Sequence, residues 1–191
     1  MQFVTLTHSI PEPNAIAIRT PLGNVMHTGD WKIDDNPLIG DATDIATLKA
    51  FGDEGVRAIV CDSTNVLSPG RSGSEADVRK NLTALIGTLS GRVAVTTFAS
   101  NLARLATIME AAAANDRSTV LVGRSMHKIT AAARETGYLK GVPLPVAEDD
   151  AGYLPPDNVL YLCTGSQGEA RAALSRIADD SHRYISLSAT R

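Results

Sequence analysis

VRAIVCDSTN, residues 56–65, is the point in the chain where one pattern of residues gives way to another. VRAIVC is a continuous apolar run, the composition expected of a strand buried on both faces of a sheet. It stops abruptly in the polar turn formers Asp62-Ser63-Thr64-Asn65. What lies before this stretch reads as antiparallel β structure. What lies after it repeats a strand-then-helix rhythm.

Upstream, FVTLTH (residues 3–8) alternates weakly, and NAIAIRT (14–20) and NVMHTG (24–29) flank the turn Pro21-Leu22-Gly23 as in an antiparallel hairpin. HTGDWK, residues 27–32, then places Asp30 behind Gly29 at the end of what reads as a buried strand. A buried carboxylate is costly unless it is paired, hydrogen-bonded or bound to a metal, so Asp30 is expected to hold something. Residues 32–55 are polar, with one short helical piece near Asp44–Leu48.

Downstream, Ser74 and Asp77 resemble a capping box opening a helix with apolar positions Val78, Leu82, Leu85, Ile86 and Leu89. RVAVTTF (92–98) is the next strand, and Ser100 caps a helix that presents Leu102, Leu105, Ala106 and Met109 on one face. STVLVG (118–123) is a further strand, and Ser125 begins a helix ending near Gly137. Residues 141–158, with four prolines and the acidic run Glu148-Asp149-Asp150, read as irregular connection. NVLYLCTG (158–165) is a strand, followed by a helix from about Glu169 to Ala178 and a last strand in RYISLSATR (183–191). Such alternation implies an α/β fold, a parallel sheet with helices on both faces. The antiparallel opening is a second architectural layer, and the two meet near residues 56–66.

The chain has 191 residues, room for one ordinary domain, or one domain with part of another. With an aromatic share of 4%, the core must be built from Ala, Val, Leu and Ile. A net charge of -3 excludes an overall basic pull toward nucleic acid, although 18 Lys and Arg leave room for a local patch. No run is long and apolar enough to span a membrane, and the opening MQFVTLTHS lacks the features of a signal peptide. Cys61 and Cys163 each end an apolar run about a hundred residues apart, which argues against a disulfide framework and for the cytoplasm.

In a parallel α/β sheet, ligands gather at the carboxyl ends of the strands. Polar residues stand at those positions: Asp62-Ser63-Thr64-Asn65, Ala99-Ser100-Asn101, Arg124-Ser125, and Thr164-Gly165-Ser166-Gln167-Gly168-Glu169. Each is equally a set of caps and turn formers, and only their convergence on one edge favours a binding role. The GSQGE turn is the most suited to phosphate, with two glycines and a following helix whose N–H groups are free. It is neither a Walker loop nor a GxGxxG fingerprint. Among the four histidines, His127 and His182 read as surface or capping residues. No HxH, HExxH or CxxC pair occurs, so spacing alone defines no complete metal site.

The strings THSIP, PLGNVMHTGDWK, CDSTN, TTFASN, GRSM and TGSQGE, in that order, resemble the ribonuclease J family, metallo-β-lactamase hydrolases with a β-CASP insertion. The resemblance runs from about residue 5 to about residue 178. It implies that residues 1–64 are part of an αββα metallo-β-lactamase sandwich and residues 65–191 an incomplete β-CASP domain. It also implies two metal ions, zinc, in a complete enzyme that hydrolyses RNA. His8 matches a metal-binding motif, and Asp30, 22 residues on, matches the carboxylate that bridges the metals. Asp62 matches an acidic residue beside the metal centre. Ser100, Asn101, Gly165, Ser166, Gln167, Gly168 and Glu169 lie in turns that would hold RNA or its phosphates. The family's HxHxDH signature and its later histidine motifs are absent. The expectation is therefore a middle segment that retains no zinc and is inactive in isolation, with unpaired sandwich strands in residues 1–30 that favour a homo-oligomer. The competing reading is a non-catalytic RNA- or nucleotide-binding α/β module. Metal content and hydrolysis separate the two.

Overall fold

The computed structural model describes residues 1–185, and the chain divides into two compact units, Met1–Asp77 and Val78–Arg191. Each is treated by itself. Most of the strand expected over 183–191 lies outside the described residues.

The first unit is a four-stranded sheet in the order β1 (Gln2–Thr5), β2 (Asn14–Thr20), β3 (Gly23–His27), β4 (Val56–Val60). β1 pairs antiparallel with β2, and β2 antiparallel with β3, with Thr20 opposite Gly23 at the hairpin end. Gly23 is required at that turn, because its φ of 125° lies outside the range of L residues and a Cβ would stand 3.0 Å from Arg57. β4 joins β3 in parallel. Helix α1 (Ile45–Asp53) starts where the Asp44 carboxylate accepts the N–H of Thr47, and it buries Phe51. Phe51, Val4, Leu6, Ala15, Ala17 and Met26 form the core. Arg19 lies over the Phe51 ring and forks onto Glu54.

β4 departs from the sequence expectation twice. It belongs to this sheet rather than to the parallel one, and it is uncovered: Ile59 is 61% and Val60 56% exposed. The reason is position. β4 is an edge strand, and of its residues only Val56 packs against the core beneath α1.

The second unit is a three-stranded parallel sheet in the order β5 (Val93–Thr96), β7 (Val159–Cys163), β6 (Ser118–Val122). β7 is central and wholly buried, as its apolar run foretold. Side chains alternate across the sheet. Val120, Val122, Val159, Tyr161 and Cys163 meet Ala173 and Ile177 of α5 (Ala173–Ala178) on one face. Leu121, Leu160 and Leu162 point to the other, and α3 (Leu102–Ala113) packs on β6 and β7 with Leu105, Ile108 and Met109 buried. Helix α4 (Arg124–Glu135) packs on β6 through a face that buries Met126, Thr130 and Ala133.

Buried Arg117 closes the turn into β6 by donating to the carbonyls of Leu89, Gly91 and Val159. The connection over 141–158 is irregular apart from two short 3-10 turns and a bridge from Val146 to Val120. Helix α2 (Glu75–Gly87) opens as expected: Ser74 Oγ accepts from Ala76 N–H, and the Asp77 carboxylate accepts from Ser74 N–H. It is less buried than its pattern suggested, with only Ile86 fully inside.

Two helix starts differ from the sequence reading. Asn101, not Ser100, caps α3, its side-chain oxygen accepting Arg104 N–H at 3.0 Å. α5 begins at Ala173 rather than Glu169. The N–H groups of Ala173 and Leu174 are drawn to the Thr164 hydroxyl and carbonyl, so tertiary contacts set this start over the helix propensity of Ala170-Arg171-Ala172.

Candidate functional site

β1, β3 and β4 all run in the same direction within the first sheet. The residues beyond their carboxyl ends therefore leave from one edge, and those residues include His8, Asp30 and Asp62. Hydrogen bonds stitch the loops together. Thr28 N–H donates to the Val60 carbonyl, Asp62 N–H donates to Thr28 Oγ1, and Trp31 Nε1 reaches Cys61 Sγ and the Asp62 carbonyl, each at 3.3 Å. On the other side, Thr7 bridges to Lys32 and its hydroxyl donates to the Lys32 carbonyl, while Lys32 N–H donates to the Thr7 carbonyl. His8 follows directly, half-buried, with Nδ1 3.1 Å from Ser9 Oγ.

Asp30 itself overturns the expectation of a buried carboxylate. It is exposed, because β3 buries only Met26 and the chain then turns through Gly29 at φ 60°. The Lys32 ammonium lies 3.6 Å from Asp34 and 3.7 Å from Glu75.

The buried carboxylate is Asp34, at 5% exposure, which sequence reasoning passed over. Burial pushes its pKa up. Hydrogen bonds from Ser74 and from the N–H groups of Glu75 and Asn36, with Lys32 nearby, outweigh that and hold it below the ordinary carboxylate value. No pattern in the sequence pointed to it, because alternation through Lys32-Ile33-Asp34 would turn Ile33 inward, whereas Ile33 is 50% exposed.

Asp62 is also held below the usual range. The Thr64 hydroxyl and N–H, both donating to Oδ1, are the main causes, and His8 adds a smaller pull. Asp62 is therefore an ionised acceptor at neutral pH. Beside it opens a groove of about 960 Å³ lined by residues 31–36, 61–66 and 70–74. An imidazole and two carboxylates are donors of the right kind for a hard or borderline metal ion. They leave the same edge without forming a site: among the described residues, no three His, Cys, Asp or Glu side chains form a group that could hold a metal.

In the second unit, the parallel order β5-β7-β6 brings three of the four polar turns to one edge; the Asp62 turn belongs to the other sheet. Ser100 is exposed there, and Asn101 has its carbonyl oxygen engaged in the α3 cap. Gly165 is buried, and a Cβ on it would stand 2.8 Å from Leu174, so it lets α5 approach the end of β7. Ser166, Gln167, Gly168 and Glu169 form an exposed turn in which Gln167 N–H donates to the Glu169 carboxylate. Cys163 is buried, which pushes its thiol to about 11 and leaves it unreactive. Cys61 and Cys163 are both free thiols.

Fold and site together define a mixed α/β protein with polar loops collected at the carboxyl edges of two sheets. The chain belongs to the ribonuclease J family: residues 90–190 match the family model described as ribonuclease J, beta-CASP domain. It is 49% identical over 189 residues to ribonuclease J of Sinorhizobium meliloti, covering 99% of this chain and 34% of that protein. Ribonuclease J of Synechocystis sp. is 42% identical, over 98% of this chain and 29% of the relative. That of Thermus thermophilus is 40% identical, over 95% and 32%. The chain thus spans about a third of the length of these relatives. A crystal structure titled as a protein of unknown function from Enterococcus faecalis V583 shares the fold, with a TM-score of 0.56 at 17% identity, covering 86% of this chain and 41% of that one. No helix among the described residues is long and apolar enough to cross a membrane.

Proposed function

We propose that this chain is a middle segment of a metal-dependent RNA hydrolase of the ribonuclease J type. Residues 1–64 would be part of its metallo-β-lactamase domain and 65–191 part of its β-CASP domain. The observation that carries the reading is that His8, Asp30 and Asp62 leave the same edge of one sheet, with Asp62 lining an open groove. In this reading His8 and Asp30 are two ligands of a zinc site whose other donors lie in the length of the relatives that this chain does not cover. When bound, such metal ions lower the pKa of water toward neutrality and stabilise charge on the phosphoryl oxygens.

The chain's own residues supply positioning. The Thr7 and Trp31 hydrogen bonds hold the three loops in register, and Asp62 presents an ionised carboxylate at the same edge. The turns at Ser100, Asn101 and Gly165 to Glu169 contribute contacts to RNA. With an incomplete donor set, the isolated chain retains no zinc and does not cleave RNA. We place the protein in the cytoplasm, and the uncovered β4 edge supports self-association.

Two measurements test this. Elemental analysis of the isolated chain is expected to find less than one metal ion per chain, and a labelled oligoribonucleotide should stay intact. In a protein that joins this segment to the remaining length of the relatives, metal-dependent cleavage is expected, abolished by Asp30→Ala. Cleavage that survives Asp30→Ala, or tight metal in the isolated chain, rejects the assignment.

A further inference from the structure

A cavity of about 600 Å³ opens in the second unit where β6 and β7 end. Its wall carries Arg124, Lys128, Arg171 and Arg176, together with the hydroxyl-bearing Ser125 and Thr164, and no carboxylate. Four cations around one cavity repel one another, in a chain whose net charge is -3. Among the described residues none of the four is held in an ion pair. Their charge is therefore available to a ligand.

The backbone adds to the same field. α4 spans 12 residues and opens on Gly123, which offers no side-chain cap, and no acidic side chain stands in its first turn. Its first amides are left for an anion, and the positive end of the helix points with them. Gly123 has φ 115°, and a Cβ there would lie 3.3 Å from Thr164 Oγ1. The glycine thus lets the start of α4 close against Thr164 and shape the pocket floor. Arg124 and Lys128, four residues apart, share one face of α4, while Arg171 and Arg176 come from the turn before α5 and from α5 itself.

From this geometry we infer a binding site for a ligand that carries two or more phosphate groups. The volume lies within the range of small-ligand sites and exceeds the needs of one phosphate. Four cations match the charge of consecutive phosphates, and arginine suits them through bidentate hydrogen bonds. Those phosphates come either from a nucleic-acid backbone or from a free polyphosphate. The backbone source rests on the RNA reading above, whereas the site itself does not. The GSQGE turn lies beside this pocket but supplies none of its lining.

The test is NMR and calorimetric titration of the 191-residue chain, without added metal, using inorganic phosphate, inorganic pyrophosphate and 5′-hydroxyl hexauridylate. Amide shifts are expected at residues 123–128, 164 and 171–176. Pyrophosphate or hexauridylate should bind at least about tenfold more tightly than phosphate, with log affinity falling by roughly 0.7 per log unit of salt for each backbone phosphate held. Tighter hexauridylate assigns the phosphates to a nucleic-acid backbone, and tighter pyrophosphate assigns them to a free polyphosphate. The double variant Arg124→Gln/Arg176→Gln should lose about tenfold or more in affinity while keeping its melting temperature, since both side chains are exposed. Unchanged affinity in a folded variant, phosphate binding as tightly as the other two probes, or shifts outside these segments overturns the site. Hydrolysis is not read, so failure of the hydrolase reading leaves this result standing.

Discussion

Asp34 shows how one side chain can organise a loop that reads as featureless. It takes the N–H groups of Asn36 and Glu75 at 3.0 and 2.9 Å and faces the Lys32 ammonium. Replacing it with Asn removes the charge and turns an N–H group toward these donors. Asp34→Asn should therefore destabilise the first unit by roughly 1–3 kcal/mol, measured by urea unfolding. The pH dependence follows from the depressed pKa. Asp34 contributes fully above the ordinary carboxylate value, and its contribution is lost as pH falls through the lower folded-state value. The gap between wild type and Asp34→Asn should thus be whole at pH 7 and shrink below about pH 4. A gap that grows on acidification would contradict the assignment. Thr7 belongs to the same knot, because its hydroxyl accepts Asp34 N–H at 3.0 Å while reaching toward Lys32 and Thr43.

Among the elements, α3 is the most deeply seated helix, and its start depends on one amide. The Asn101 side chain satisfies Arg104 N–H, whereas Ser100 stands exposed just outside. Asn101→Ala should cost about 1 kcal/mol and Ser100→Ala almost nothing, a difference that chemical unfolding resolves. Equal effects would return the cap to Ser100. α5 makes the complementary point. Ala170-Arg171-Ala172 has the propensity to extend the helix backward, but the Thr164 hydroxyl and carbonyl engage the amides of Ala173 and Leu174. The helix starts where β7 holds it, and the GSQGE turn is left exposed ahead of it.

At the scale of the whole molecule, the uncovered β4 edge dominates expected behaviour. Ile59 and Val60 are more than half exposed on a strand with one unpaired side, and such edges recruit another chain. Sedimentation should show concentration-dependent association that Ile59→Lys shifts toward monomer. A monomer at high protein concentration would reject self-association through this edge.

The sequence alone established the element order, the hairpin at Pro21-Leu22-Gly23, the buried run of β7 and the family, because these depend on local periodicity, turn chemistry and rare motif strings. It also named His8, Asp30 and Asp62, though spacing along a chain carries no direction. Only the strand order, with β1, β3 and β4 running the same way, brings those residues to one edge. VRAIVC was legible as a strand, but its sheet and exposure were not, since an apolar run records affinity for burial and not what is available to cover it. The same limit hid Asp34 and the four cations of the second cavity. Arg124 and Arg171 lie 47 positions apart in the chain, and it is the pairing of β6 with β7 that sets them around one space.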